Sequence, residues 1–283
     1  VRSFRRAPGN LLAGILKKAR EKTRAMTEAP VRPASTILLL RDGAAGLEVF
    51  MVVRHHQIDF ASGALVFPGG GLDPGDAEIA GDPLRCAAVD GLDAAARAFR
   101  VAAIRETFEE CGVLLARPRG SAALVDGARC ARLVAGAARR TFADMLADED
   151  LVLALDLLTP YAHWITPPVV PKRFDTHFFL AAAPADQLAM HDGGESVDSV
   201  WINPGQALRE QEAGNYTIIF PTRLNLRMLD ASTSVADALA AARARKIVTV
   251  LPELTKLGDE RALRIPLEAG YGGDVFPTGA DKV

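Results

Sequence analysis

Two rhythms of apolar and polar positions run along the chain. Residues 35–40 and 47–53 are rich in branched and aliphatic side chains, as strands are. Arg41-Asp42-Gly43-Ala44-Ala45-Gly46 between them reads as a hairpin-type turn. A third short strand is expected at 64–67, where Pro68 ends it and Gly69-Gly70-Gly71 open a loop. Helical spacing takes over at 98–111, with Gly112 placed as a left-handed stop and Val113 returning to the core. Within 119–158 the spacing is again helical, clearest at 138–147, where Phe142, Met145 and Leu146 share a face. The apolar run 151–158 fits a further helix. Strands are expected at 162–165, 176–182 and 197–202. Asn203-Pro204 then opens a helix through about Glu210, an N-cap residue followed by proline in the first turn. Two more helices are expected around Asn225 and Leu239, and 265–283 reads as irregular. The segment 77–97 predicts a loop and part of a helix, either a plain surface elaboration or a cover for a substrate entrance.

Composition narrows the classes. The chain has 283 residues, 49% of them hydrophobic, enough for a substantial core. A net charge of −2 argues against non-specific binding to nucleic acid or to an acidic membrane surface. No apolar run approaches the length that spans a bilayer. The three cysteines, Cys86, Cys111 and Cys130, form no CxxC pair that would suggest zinc or redox work, and an odd count without a secretion signal fits a reducing cytoplasm. Arginine outnumbers lysine by 26 to 7 beside abundant alanine, which reads as a GC-rich genome and takes arginine number off the table as a functional signal. Residues 1–33 stand apart as basic, with Arg2, Arg5, Arg6, Lys17, Lys18, Arg20, Lys22 and Arg24, and are expected to be a disordered extension. Met26 resembles an ordinary protein start, so the first 25 residues read as an upstream addition.

The chemistry sits in Arg105-Glu106-Thr107-Phe108-Glu109-Glu110-Cys111-Gly112. On a helix, Glu106, Glu109 and Glu110 stand at i, i+3 and i+4 on one face. Three like charges there repel unless the face is fully solvated or surrounds a cation. Alone, such a turn is more often a wet surface. The glycine-rich turn upstream and the glycine stop downstream shift the balance to a site for a hard, oxygen-seeking ion such as Mg²⁺ or Mn²⁺, and so to chemistry on a phosphate.

These residues resemble the box of the Nudix hydrolases. Its second half matches at Arg105, Glu106, Glu109, Glu110, Gly112 and Val113, with Thr107 where an aliphatic residue is usual. Its first half matches at Gly70, with Asp76 where glutamate is usual. The spacing departs, because residues 77–104 separate Asp76 from Arg105. A long insert there is similar to the branch holding the peroxisomal acyl-coenzyme A diphosphatases and their bacterial relatives. The likeness continues at His163-Trp164-Ile165-Thr166-Pro167 and Pro171-Lys172-Arg173-Phe174-Asp175-Thr176-His177-Phe178-Phe179.

The resemblance implies an α/β (α+β) fold, a Nudix α-β-α sandwich with a central mixed sheet over 34–255. Insertions would fall at about 77–97 and 119–158, and 256–283 would form a C-terminal tail. It implies Glu106, Glu109, Glu110 and the backbone at Gly70 as ligands of Mg²⁺ or Mn²⁺. Arg105 would orient the carboxylates. Asp76, a methylene shorter than glutamate, leaves the usual ion pair with that arginine in question. The general base would be a box glutamate or Glu195, which lies on a glycine-rich loop. Arg54, Gly69, Gly70, Lys172 and Arg173 are the candidates for binding substrate phosphates, with Arg223 a further basic residue. His55-His56 reads as an ordinary loop pair. The expected partner is a small nucleoside diphosphate derivative, with a homodimer kept open and neither nucleic acid nor membrane. For coenzyme A or its thioesters, the products would be 4′-phosphopantetheine, acylated or not, and adenosine 3′,5′-bisphosphate. ADP-ribose, NADH and nucleotide sugars are the alternative substrates, and a non-cleaving nucleotide sensor is the alternative of another class.

Overall fold

A computed structural model describes residues 29–54, 63–86, 89, 91–187, 189 and 196–278. The strands are β1 (Val31–Gly43), β2 (Gly46–Arg54), β3 (Leu65–Val66), β4 (Gly69–Gly71), β5 (Ala116–Pro118), β6 (Leu151–Leu153), β7 (Thr159–Ile165), β8 (Arg173–Ala182), β9 (Ser196–Ile202), β10 (Thr249–Val250), β11 (Glu253–Leu257), β12 (Glu260–Arg264) and β13 (Val275–Pro277). The α-helices are α1 (Pro74–Gly81), α2 (Ala94–Cys111), α3 (Gly127–Gly136), α4 (Phe142–Asp148), α5 (Pro204–Glu212), α6 (Phe220–Leu229) and α7 (Val235–Ala244).

The main sheet runs β10-β7-β8-β1-β2-β3, with β4 on β1 and β9 on β2. It is mixed. β1 pairs in parallel with β8 from Val31↔Arg173 to Leu40↔Ala182, and antiparallel with β2 from Leu40↔Val49 to Gly43↔Gly46. Where β2 leaves β1, β4 takes its place through Ala34↔Gly71, Ser35↔Gly70 and Thr36↔Gly69. Ile37, Leu38, Leu39 and Leu40 are all fully buried because β1 is covered on both faces. Ile37 and Leu39 pack with Val101, Ile104 and Phe108 of α2, and Leu38 and Leu40 with Leu224, Leu226 and Leu229 of α6. Helix layers on both faces of a mixed sheet give the expected sandwich.

Helix α2 begins where Asp93 accepts a hydrogen bond from the Ala96 N–H (2.7 Å), one turn earlier than the apolar spacing marked. It ends at Gly112, which is left-handed (φ 67°, ψ 21°) as expected and donates its N–H to the Phe108 carbonyl. Ser35 on β1 fixes the helix to the sheet by donating its hydroxyl hydrogen to the Phe99 carbonyl (2.7 Å). The interval 77–97 holds the rest of α1, a connection and the start of α2, with Ile79, Ala80 and Cys86 in the core.

Several expectations change. The boundary at 33 falls inside β1, whose pairing with β8 begins at Val31. Residues 151–158 are not a helix. Leu151–Leu153 pairs with Ala116–Pro118, and a short 3₁₀ turn follows at Leu155–Leu157. A short apolar run suits either state, and the left-handed Asp150 (φ 50°) breaks any helix entering from 148. The helix expected at 138–147 starts only at Phe142, behind a 3₁₀ turn. The glycine loop is a strand. At Gly69 (φ 154°) a Cβ would collide with the Ser35 carbonyl, so only glycine brings this chain close enough to pair.

The tail is folded as well. β11, β12 and β13 form an antiparallel sheet that lays Leu263, Ile265, Tyr271 and Phe276 into the α6 side of the core. Tyr271 Oη accepts from Trp164 Nε1 (2.9 Å) and donates to Asn225 Oδ1 (2.8 Å). Short, charge-rich strands hid this segment from periodicity. No described helix is long and apolar enough to cross a membrane.

Tyr271→Phe strands the buried Trp164 N–H and the Asn225 carbonyl oxygen together. Urea denaturation should show a loss of about 1–3 kcal/mol with unchanged far-UV circular dichroism. No loss would mean that the tail does not support the core.

Candidate active site

The last two turns of α2 face the backbone of β4, and each of the three glycines meets one side chain. The Gly69 N–H donates to Glu110 Oε2 (3.0 Å). A Cβ on Gly70 would lie 2.5 Å from Glu106 Oε2, so that carboxylate presses against bare backbone. The Gly71 carbonyl accepts from Arg105 Nη2 (2.9 Å).

Arg105 is the centre of the group. Its Nε and Nη2 donate to the two oxygens of Asp76 (2.9 and 3.0 Å) in a bidentate pair. Its Nη1 donates to Glu106 Oε1 and to Glu109 Oε2, both at 2.9 Å. The Asp76 side chain is fully buried, and that of Arg105 is 8% exposed. Burial alone would lower the arginine's pKa, but the Asp76 hydrogen bond and the charges of Glu106, Asp76 and Glu109 outweigh it and raise the value. The contact placed in doubt by the shorter Asp76 is therefore made. Asp76 stands in the first turn of α1, where it also accepts from the Asp73 N–H (2.8 Å), and that helix carries it up to the guanidinium.

Three carboxyl groups (Asp76, Glu106, Glu109) meet one guanidinium, and Glu110 stands beside them on the Gly69 N–H. Glu109 and Glu110 also occupy the last turn of α2, where the helix dipole favours cations and opposes anions. The side chain of Glu109 is 46% exposed, so this electronegative spot reaches solvent. Oxygen donors alone, fixed by a helix and a strand, fit a hard divalent cation.

Residues 90–229 match the family model described as the NUDT19 Nudix domain. A crystal structure of a Nudix hydrolase from Alicyclobacillus acidocaldarius is similar over 76% of this chain and 97% of its own, at 31% identity and a TM-score of 0.63. The chain belongs to the Nudix hydrolase family. Within that family it resembles the NUDT19 branch. It is 31% identical over 153 residues to the human acyl-coenzyme A diphosphatase NUDT19, covering 50% of this chain and 41% of that one. A Caenorhabditis elegans protein carrying the name nudix hydrolase 7 is 29% identical over 181 residues, covering 64% of this chain and 55% of its own. This Nudix chain thus spans about half the length of the curated relatives it matches.

The other expected site residues are dispersed. Arg54 ends β2, and its Nε is buried with no hydrogen-bond partner among the described residues. Lys172 is exposed just before β8. Arg173 is buried and donates Nε to the Thr166 carbonyl (3.0 Å) and Nη1 to the Ala29 carbonyl (3.4 Å), which ties the β7–β8 connection and the chain entering β1 to β8. Arg223 stacks over Phe220 at 5.6 Å. Glu195, His55 and His56 lie outside the described residues.

One cluster went unmarked in the sequence. His163 on β7 and Asp175 and His177 on β8 each offer a ligand atom within 4.8 Å of the others. Burial first, then the His163 imidazole, pushes the His177 pKa down to about 4, against the opposing pull of Asp175. Asp175-Thr176-His177 carried a usable signal, since residues two apart on a strand share a face.

Arg105→Met leaves Asp76 buried without its partner and should cost about 3–5 kcal/mol of folding stability. The double variant with Asp76→Asn should recover part of that loss. Chemical denaturation of the three proteins checks this, and a single variant as stable as the parent would show that the pair is not structural.

Proposed function

We propose that this chain hydrolyses the diphosphate linkage of coenzyme A or an acyl-coenzyme A. The products are 4′-phosphopantetheine, acylated or not, and adenosine 3′,5′-bisphosphate. Glu106, Glu109 and Glu110, with the backbone at Gly70, hold Mg²⁺ or Mn²⁺ in this reading. The observation that carries it is the carboxylate group converging on the β4 backbone around Arg105. The human relative supports the substrate class, its printed name being acyl-coenzyme A diphosphatase.

A diphosphate resists water because its anionic oxygens repel a nucleophile. A divalent cation supplies charge neutralisation at those oxygens and a water of lowered pKa. The protein's own part is placement. Arg105 bridges Glu106 and Glu109 and so holds two mutually repelling groups on one side of α2. The Gly69 N–H fixes Glu110. Arg105 is spent on these contacts and acts as a positioning residue. Glu109, the most exposed of the three, is the box glutamate best placed to take a proton from the attacking water, and Glu195 is the alternative base. Water adds to one phosphorus, the bridging oxygen leaves with the other phosphate, and one proton passes to the base.

The purified protein should be incubated with coenzyme A, acetyl-coenzyme A, ADP-ribose and NADH, with Mg²⁺ or Mn²⁺ and with chelator, and the products followed by mass. Metal-dependent release of adenosine 3′,5′-bisphosphate is expected. Cleavage of ADP-ribose or NADH alone would replace the substrate, and turnover of none would favour a nucleotide sensor. Glu109→Gln and Glu110→Gln should each lower kcat on the order of 100-fold or more. Full turnover in both variants would overturn the ligand assignment.

Gly70→Ala should leave the melting temperature nearly unchanged, because the atom in the way is the end of the flexible Glu106 side chain. Its Mg²⁺ requirement should rise by about tenfold or more, since the displaced carboxylate is a ligand. An unchanged requirement would remove Glu106 from the metal.

A further inference from the structure

The geometry points to a second metal site, in which His163, Asp175 and His177 bind a divalent transition-metal ion of the zinc class. It lies outside the glutamate group and does not depend on the coenzyme A reading. His163 stands directly opposite His177 in the antiparallel β7–β8 pair, and Asp175 lies two residues before His177 on the same face. The two imidazoles stack with centroids 4.1 Å apart. Asp175 Oδ1 is 2.5 Å from His163 Nε2 and 3.9 Å from His177 Nε2. Zinc–nitrogen and zinc–oxygen bonds of about 2.0–2.2 Å require ligand atoms roughly 3–4 Å apart, so small side-chain rotations close the three around one ion.

The surroundings are those of a metal centre. His163 Nδ1 lies 2.8 Å from Thr249 Oγ1 on β10. With Nδ1–H donating to that hydroxyl, the Nε2 lone pair is turned toward Asp175 and His177. Phe99 of α2 packs on His177 with ring centroids 4.0 Å apart and restricts its rotation. Arg100 on α2 lies over the Phe179 ring and bonds the Ala96 carbonyl. A bound ion replaces the direct contact between His163 Nε2 and Asp175 Oδ1. Side-chain exposures of 18% for His163, 34% for Asp175 and 33% for His177 leave room for a water as a further ligand.

Two nitrogens and one oxygen favour Zn²⁺, Co²⁺ or Ni²⁺ over Mg²⁺, whereas the glutamates offer oxygen alone. The centres are close. Gly70 pairs with Ser35 and Ser35 with His177, so the cluster lies two strands, about 10 Å, from the backbone against Glu106.

The test is a titration of the metal-stripped full chain with Co²⁺ in excess Mg²⁺, followed by visible absorption, and with Zn²⁺ by calorimetry. One ion per chain is expected, with the intense Co²⁺ bands of a four- or five-coordinate nitrogen–oxygen site. His163→Ala and His177→Ala should each weaken binding by about 100-fold, and Glu109→Gln and Glu110→Gln should leave it unchanged. Asp175→Asn keeps the shape of the strand, so if a histidine variant misfolds, it should still show binding weakened at least about tenfold with unchanged circular dichroism. Tight Co²⁺ binding lost in the glutamine variants, or retained in the folded cluster variants, would overturn the proposal. Failure to bind Co²⁺ or Zn²⁺ below about 1 mM would do the same.

Discussion

Everything at this site depends on one guanidinium shared among three carboxylates and a backbone carbonyl. Arg105 joins α1 through Asp76, β4 through the Gly71 carbonyl, and the charged face of its own helix through Glu106 and Glu109. Without it, the carboxylates would turn outward into water, as exposed glutamates on a helix usually do. With it, a helix and a strand edge are held at a fixed separation, and like charges converge instead of scattering. The penalty of burying Asp76 is offset by the bidentate pair. The result is an electronegative spot built before any ligand arrives.

The sheet explains why this can be rigid. Strand β1 is buried on both faces, so its register is fixed by two cores at once, and a slip of one residue would exchange them. β4 inherits its position from β1, and α2 is fixed to β1 through Ser35. The carboxylates and the glycines that face them are therefore both referred to the same strand.

What was legible in the sequence follows from how local each signal is. Glu106, Glu109, Glu110 and the Gly112 stop could be placed because helical geometry relates residues three and four apart, and the structure groups them on the α2 face. The sandwich was legible because runs such as 35–40 and 47–53 are strongly apolar. The strand at Gly69–Gly71 was not, since its pairing comes from missing side chains and close approach to Ser35. The tail was hidden because Tyr271 is buried by partners 46 and 107 positions away, Asn225 and Trp164. Arg173 looked like a phosphate binder by charge alone, and only burial reveals that backbone carbonyls hold it. The His163 pairing with His177 needs the register of β7 on β8, which no spacing rule supplies.

The pair that locks the site joins positions 29 apart, through an interval much longer than a compact box would contain. Its two ends grip each other directly, and among the described residues of the connection between α1 and α2 positions 83, 84, 91 and 93 are exposed. Chain can therefore be added or removed at those exposed positions across generations without displacing the carboxylates of the group. The box is a unit in space and not along the chain, and a search that demands fixed spacing would pass over molecules whose sites superimpose on this one.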